Sequence, residues 1–202
     1  MRFFITTLLL SFSSFLIGQT DSTHFIKVHF LYGSKPLKKF KGKTEMKYFG
    51  GMHGGHVTIE VDSIDYGFSP TGRVHMISHP RKHHSQYDGK HTHNQPPYPK
   101  GYKVTTFIIP VSEEQYTQIQ KIESNYCAKA PYDYAFIGMR CAASAEDILG
   151  QLGIVKKKKR LGNIFTTFYP KKLRKRMFKL AAKNNYKIVT QDGRPTRKWE
   201  RD

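Results

Sequence analysis

Acidic residues and cysteines are both scarce in this chain. Fifteen Asp and Glu face 34 Lys and Arg across 202 residues, a formal charge of +19. Only Cys127 and Cys141 occur as cysteines. Two thiols exclude a disulfide framework and leave one possible bridge in an oxidising compartment, which would consume the thiol taken below for a nucleophile. Internal repeats and long low-complexity segments are absent too, so the chain does not read as a solenoid or a disordered tail. The acid deficit favours acidic partners: anionic envelope polymers, phospholipid headgroups or nucleic acid. A solvated basic face that keeps the protein soluble accounts for the same charge.

What is present begins with an export signal. Arg2 precedes an apolar run through Ile17 that closes on Gly18-Gln19, the pattern of a secretory signal peptide over residues 1–19. A membrane anchor is the alternative, but the run is broken by Ser and Thr and is short for a bilayer span. No cysteine lies near the cleavage region, which argues against a lipid anchor. The expectation is an exported protein, periplasmic or secreted, with nucleic acid not expected as a partner. Residues 20–202 are one domain's worth of chain, with 38% hydrophobic and 13% aromatic residues.

The pattern along that domain mixes both periods. Residues 24–32, 56–61, 64–68 and 102–110 read as strands, with Asp62-Ser63 closing a hairpin that sets Ser69 opposite His56. Residues 79–99 hold five histidines and four prolines with no apolar period and read as a long loop. Ser112 caps a helix, with Gln115 at the return position of a capping box. A second helix opens at Cys141, its Cys141, Ala145, Ile148, Leu149 and Leu152 on one stripe, and Gly153 stops it. After the cationic run Lys156–Arg160, Pro170 starts a last helix that buries Leu173, Met177, Leu180 and Ala181, and residues 186–190 add a strand. The class is α+β, an antiparallel sheet packed against the Cys141 helix, with a basic C-terminal helix and tail.

Cys141 and His56 are the candidate catalytic pair. A thiol attacks only as thiolate, and a helix's first turn supplies unpaired N–H groups and a positive dipole end that favour it. A histidine in hydrogen-bond reach takes the proton and later returns it to the leaving group. Ala142 and Ala143 allow the helix start to approach a sheet closely. His56 is preferred over His53 because it leads the alternating strand, and Glu60 lies too far along to orient it. Taken alone, Cys141 also fits a small buried residue, and His56 fits polar surface.

The segments GGHVTIEVDSIDYGFSP and VSEEQYTQIQKIESNY…PYDYAFIGMRCAASAEDILGQLGI add a further argument. They resemble the two halves of the circularly permuted papain-like proteins of the NlpC and PPPDE type. The similarity spans roughly residues 50–154 and rests on pattern and order. It implies a permuted papain-like fold with His56 as base and Cys141 as nucleophile. It implies cleavage of amide, isopeptide or thioester bonds, or acyl transfer as in the lecithin:retinol acyltransferase relatives. Two departures stand out. Many relatives carry Asn before the cysteine, where this chain has Met139-Arg140. Many carry a second histidine on the return strand, where this chain has Tyr66-Gly67-Phe68-Ser69, with His75 further along.

The expectation is therefore an exported cysteine hydrolase acting on an amide-type bond of a peptide, peptidoglycan or lipid substrate. Cys141, His56 and Ser69 are its candidate catalytic residues, and Arg140 and Tyr134 its candidate substrate contacts. Lipid acyl transfer and a catalytically silent envelope-binding module are the alternatives, the last from the missing second histidine and the charge. No cofactor or metal is expected: the spacing of His79, His83, His84, His91 and His93 matches no fixed ligand set.

Overall fold

Alternation along β1 (His24–Leu31) sorts its residues cleanly: Ile26, Val28 and Phe30 are buried in the core, while Lys27 and His29 point to the other side of the sheet. The computed structural model describes residues 24–33, 55–72, 74–92, 98, 101–167 and 169–193. The signal-like segment, the basic loop through Lys47, His53 and His93 lie outside them. β2 (His56–Val61) runs antiparallel to β1, with Val57, Ile59 and Val61 continuing the core face. Asp62 and Ser63 adopt φ of 50° and 62°, the paired left-handed geometry that lets a two-residue turn match strand twist. That turn closes the hairpin to β3 (Ile64–Pro70), in register Glu60↔Asp65 and Thr58↔Gly67.

Continuing that register sets Ser69 opposite His56. Within the segment 79–99, expected as a loop, residues 85–91 form a strand. β5 (Ser85–His91) pairs along β3, and a short β4 (His75–Ile77) lies parallel to β7 (Ala135–Ile137). The sequence hid β5 because Gln86, Asp88 and Lys90 alternate with Tyr87, Gly89 and His91, leaving one large apolar side chain in the strand. β6 (Val104–Val111) and β8 (Lys187–Gln191) complete a six-stranded antiparallel sheet in the order β5-β3-β2-β1-β6-β8.

Among the described residues four helices accompany the sheet. α1 (Glu113–Ala128) starts as expected: Ser112 Oγ accepts from Gln115 N at 3.2 Å, and Gln115 Oε1 accepts from Ser112 N at 3.0 Å. α2 (Cys141–Gln151) packs on β2 and β3, and Gly153, at φ 73°, follows it. α3 (Arg160–Thr166) lies inside what reads as a cationic run and its sequel; seven residues with Leu161 and Phe165 outward show no stable apolar period. α4 (Pro170–Asn184) buries Leu173, Met177 and Ala181, and Phe178 meets Phe107 of β6 edge-on at 5.1 Å.

α2 is held in place by its own buried acid. Glu146 receives Lys158 Nζ at 2.8 Å, and Arg176 and Thr167 also donate to its carboxylate, so both following helices are tied to one carboxylate. The whole is a mixed α+β domain with a large antiparallel sheet. Replacing Ser112 with Ala should cost about 1 kcal/mol. A chemical denaturation curve should shift its midpoint at unchanged slope.

Candidate active site

Residues far apart in sequence meet where α2 begins, at the first residues of β2. The Cys141 thiol lies over the main chain there, 4.0 Å from the carbonyl of Gly55, and the Val57 N–H is directed at the sulfur. His56 lies between them in sequence, and the imidazole and the thiol act on each other electrostatically. The approach depends on small groups on the helix, while Gly55 allows β2 to begin close against the end of β1. Ala142, Ala143 and Ala145 are buried against the sheet. A Cβ on Gly55 would stand 2.9 Å from Leu31 O and 3.0 Å from Gly33 N, backbone atoms that cannot yield.

The electrostatics favour a charged pair. Burial by itself would push the Cys141 thiol up. The His56 charge and hydrogen bond, the Val57 N–H and the nearby Arg140 outweigh it and lower the pKa. Burial likewise opposes charge on His56, but the Cys141 sulfur and, more remotely, Asp65 raise the imidazole above its ordinary value. Each group therefore eases the ionisation of the other. At the start of α2 the N-cap Arg140 makes no side-chain cap, so the positive end of the helix dipole lies uncapped by a side chain where Cys141 begins the helix.

Arg140 and Tyr134 both lie at this point. The Tyr134 hydroxyl feels the charge of both Cys141 and Arg140, and its pKa is raised by burial first and by the sulfur's charge second. The Arg140 guanidinium sits over the Phe136 ring at 5.4 Å and near that of Tyr169 at 6.0 Å. Ser69 is less engaged. It lines a cavity of about 180 Å³ together with His56, Thr58, Asp65, Gly67 and Tyr98. Among the described residues it gives no hydrogen bond to the imidazole.

The residue that sequence reasoning missed is Asp65. Ser69, Gly67 and Asp65 share the strand face on which His56, Thr58 and Glu60 lie, so the hairpin register alone would have placed it there. Nothing at position 67 stands in between: a Cβ there would come within 3.2 Å of His56 Nε2, so glycine leaves that side of the ring open to the cavity. Asp65 is held above the usual carboxylate range, chiefly by burial. Its Oδ1, the Thr58 hydroxyl and the Tyr98 hydroxyl face the cavity without a hydrogen bond of normal geometry. Thr58 nevertheless stands close enough to favour the Asp65 carboxylate. Glu60 serves another cluster, bound to His29 Nε2 at 3.1 Å and to Lys27 Nζ.

The histidine-rich segment is not the solvated loop it resembles in sequence. Buried Asp133 accepts from His75 Nδ1 at 2.7 Å, His79 N at 2.8 Å and His84 N at 2.8 Å, and these bonds hold its pKa down against burial. His83 Nδ1 lies 3.3 Å from Ala130 O and His91 belongs to β5, so these two stand apart from the group at Asp133. No group of three or more metal-binding side chains occurs among the described residues. Cys127 and Cys141 are both free, the first exposed on α1 and the second buried. Comparison with protein-family models, curated proteins and solved structures gives no match in any of the three.

Two measurements follow from the geometry. Alkylation of Cys141 should gain rate through an inflection below the usual thiol value of about 8.5. His56→Ala should move that inflection upward, because burial then acts on the thiol without its main counter-charge. Cys127, whose pKa is raised by burial and by Glu123, is the internal reference. Gly67→Ala presses on the ring, and should slow Cys141 labelling on the order of tenfold while leaving Cys127 labelling unchanged.

Proposed function

We propose that this chain is an exported cysteine hydrolase that opens an amide-type bond, built as a permuted papain-like domain. The observation that carries the reading is the electrostatic pairing of buried Cys141 with half-buried His56, the thiol shifted toward its ionised form and the imidazole toward its protonated form. Such a pair has a plain chemical use. The thiolate attacks the carbonyl carbon, and the carbonyl electrons move to oxygen beside the N–H groups that open α2. As the tetrahedral adduct collapses, His56 gives its proton to the departing amine. A thioester on Cys141 remains. Water, deprotonated by the now neutral imidazole, cleaves that thioester and restores the pair.

Other features support this reading without adding a step. Tyr134 and Arg140 flank the sulfur and suit contacts to a substrate carbonyl or acid group. Asp65, across the small cavity from Nε2, suits the positioning of His56, the part for which Ser69 was the sequence candidate. Export follows from the apolar opening of the chain, and the surplus of positive charge suits an anionic envelope substrate such as a peptidoglycan peptide.

The test is turnover with its covalent intermediate. The full chain should release free amine from peptide or muropeptide amides, and mass spectrometry of the quenched reaction should show an acyl group on Cys141. Cys141→Ala should abolish both, and His56→Ala should slow release about 10²- to 10⁴-fold. Turnover that survives Cys141→Ala overturns the proposal. A Cys141 adduct formed only from phospholipid, with no amide cleavage, replaces it with lipid acyl transfer.

A further inference from the structure

The basic surplus is concentrated in one stretch. No acidic residue occurs between Asp147 and Asp192, and that interval carries thirteen lysines and arginines. Within it α3 exposes two large apolar side chains, Leu161 at 68% and Phe165 at 69%. They are four residues apart, so they share one side of the helix. The run Lys156–Arg160 leads into that helix. Lys156, Lys157, Lys159 and Arg160 are exposed, whereas Lys158 turns inward to Glu146 and Thr166.

Further exposed apolar side chains lie around Arg140. After α3 comes the exposed Tyr169, whose ring lies 6.0 Å from the Arg140 guanidinium, and on the other side of Arg140 is Phe136 at 5.4 Å. Phe136 and Ile137 are exposed in β7, and Met76 and Ile77, at 67% and 70%, lie beside them in β4. A water-facing surface that combines such side chains with exposed lysines is costly unless something covers it. A basic apolar face of this kind matches the boundary between acyl chains and anionic headgroups, which takes the rings and aliphatic groups below and the ammonium groups above.

We infer that the α3 surface, continued past Tyr169 and Arg140 to β7 and β4, docks this protein on an anionic lipid bilayer with the Cys141 site facing the membrane plane. A polyanionic chain such as teichoic acid or RNA would use the lysines but leave Leu161 without a role. A bilayer uses both. Each exposed lysine near an anionic surface is worth roughly fivefold in binding, and each apolar side chain that enters the lipid roughly tenfold or more.

The experiment is sedimentation of the full chain with vesicles of phosphatidylcholine, with and without one-third phosphatidylglycerol. The apolar opening of the chain would partition into both kinds, so the quantity read is the ratio of binding between them. The wild type should show a strong preference for the anionic vesicles. Leu161→Ser with Phe165→Ser, both at exposed positions, should weaken binding to anionic vesicles ten- to a hundredfold. Lys156→Gln with Lys157→Gln and Lys159→Gln should remove most of the preference, and Lys158 is left intact because it holds Glu146. Cys141→Ala should bind as the wild type does, which separates docking from the proposed chemistry. Circular dichroism of each variant confirms the fold. Three results would overturn the inference: an unchanged partition in the serine variant, loss of vesicle binding in Cys141→Ala, or binding that single-stranded RNA competes away completely with no dependence on residues 161 and 165.

Discussion

A charge in a dry place must be answered by other charges and by fixed hydrogen bonds, and the start of α2 is built around that requirement. Cys141 is buried and His56 half-buried, and desolvation disfavours the ionised form of each. What tips the balance is mutual attraction at short range, the main-chain N–H of Val57 and the positive field around Arg140. Each contribution needs the helix start within hydrogen-bond reach of the first residues of β2. The buried alanines of α2 are the reason the two elements can come so close.

Two buried carboxylates hold that approach in place from either side. Glu146, one and a half turns into α2, collects Lys158, Thr167 and Arg176, and so fixes the helix against α3 and α4. Asp133 collects a side chain and two main-chain N–H groups from residues 75 to 84 and pins that segment to the turn that carries Tyr134. Buried acids with several donors each are expensive to leave unpaired. They lock the surrounding segments into one arrangement. The same locking leaves Arg140 between the rings of Phe136 and Tyr169, and so joins the basic, apolar outer surface to the edge of the site.

How much of this the chain announces can be judged element by element. The long strands show themselves through alternation, and α1 through its capping box. α2 and α4 show themselves through stripes of apolar residues with a glycine or proline at the boundary. The pairing of Cys141 with His56 was legible from residue type and order. β5 was not, because a strand at the end of a sheet with polar side chains on alternate positions has no apolar signature of its own. α3 was not, because its two large apolar side chains face outward. Asp65 was hidden for a different reason: its place depends on counting the hairpin register from a turn whose geometry must first be known.

Local sequence sets what depends on neighbours a few positions away: strand and helix periods, the left-handed Asp62-Ser63 turn, the caps, the export-like opening and the strong positive charge. Those are short-range sterics and hydrophobic patterning, and they act before the chain has a shape. Tertiary structure decides what depends on residues brought together from afar. It selects His56 to meet Cys141. It turns Glu60 toward His29 and leaves Asp65 facing the cavity beside Nε2. It gathers the 75–84 segment around Asp133. Burial is the physical reason. Only the folded sheet and helix remove water from these groups, and without water a carboxylate, a thiol or an imidazole takes its state from the partners in reach.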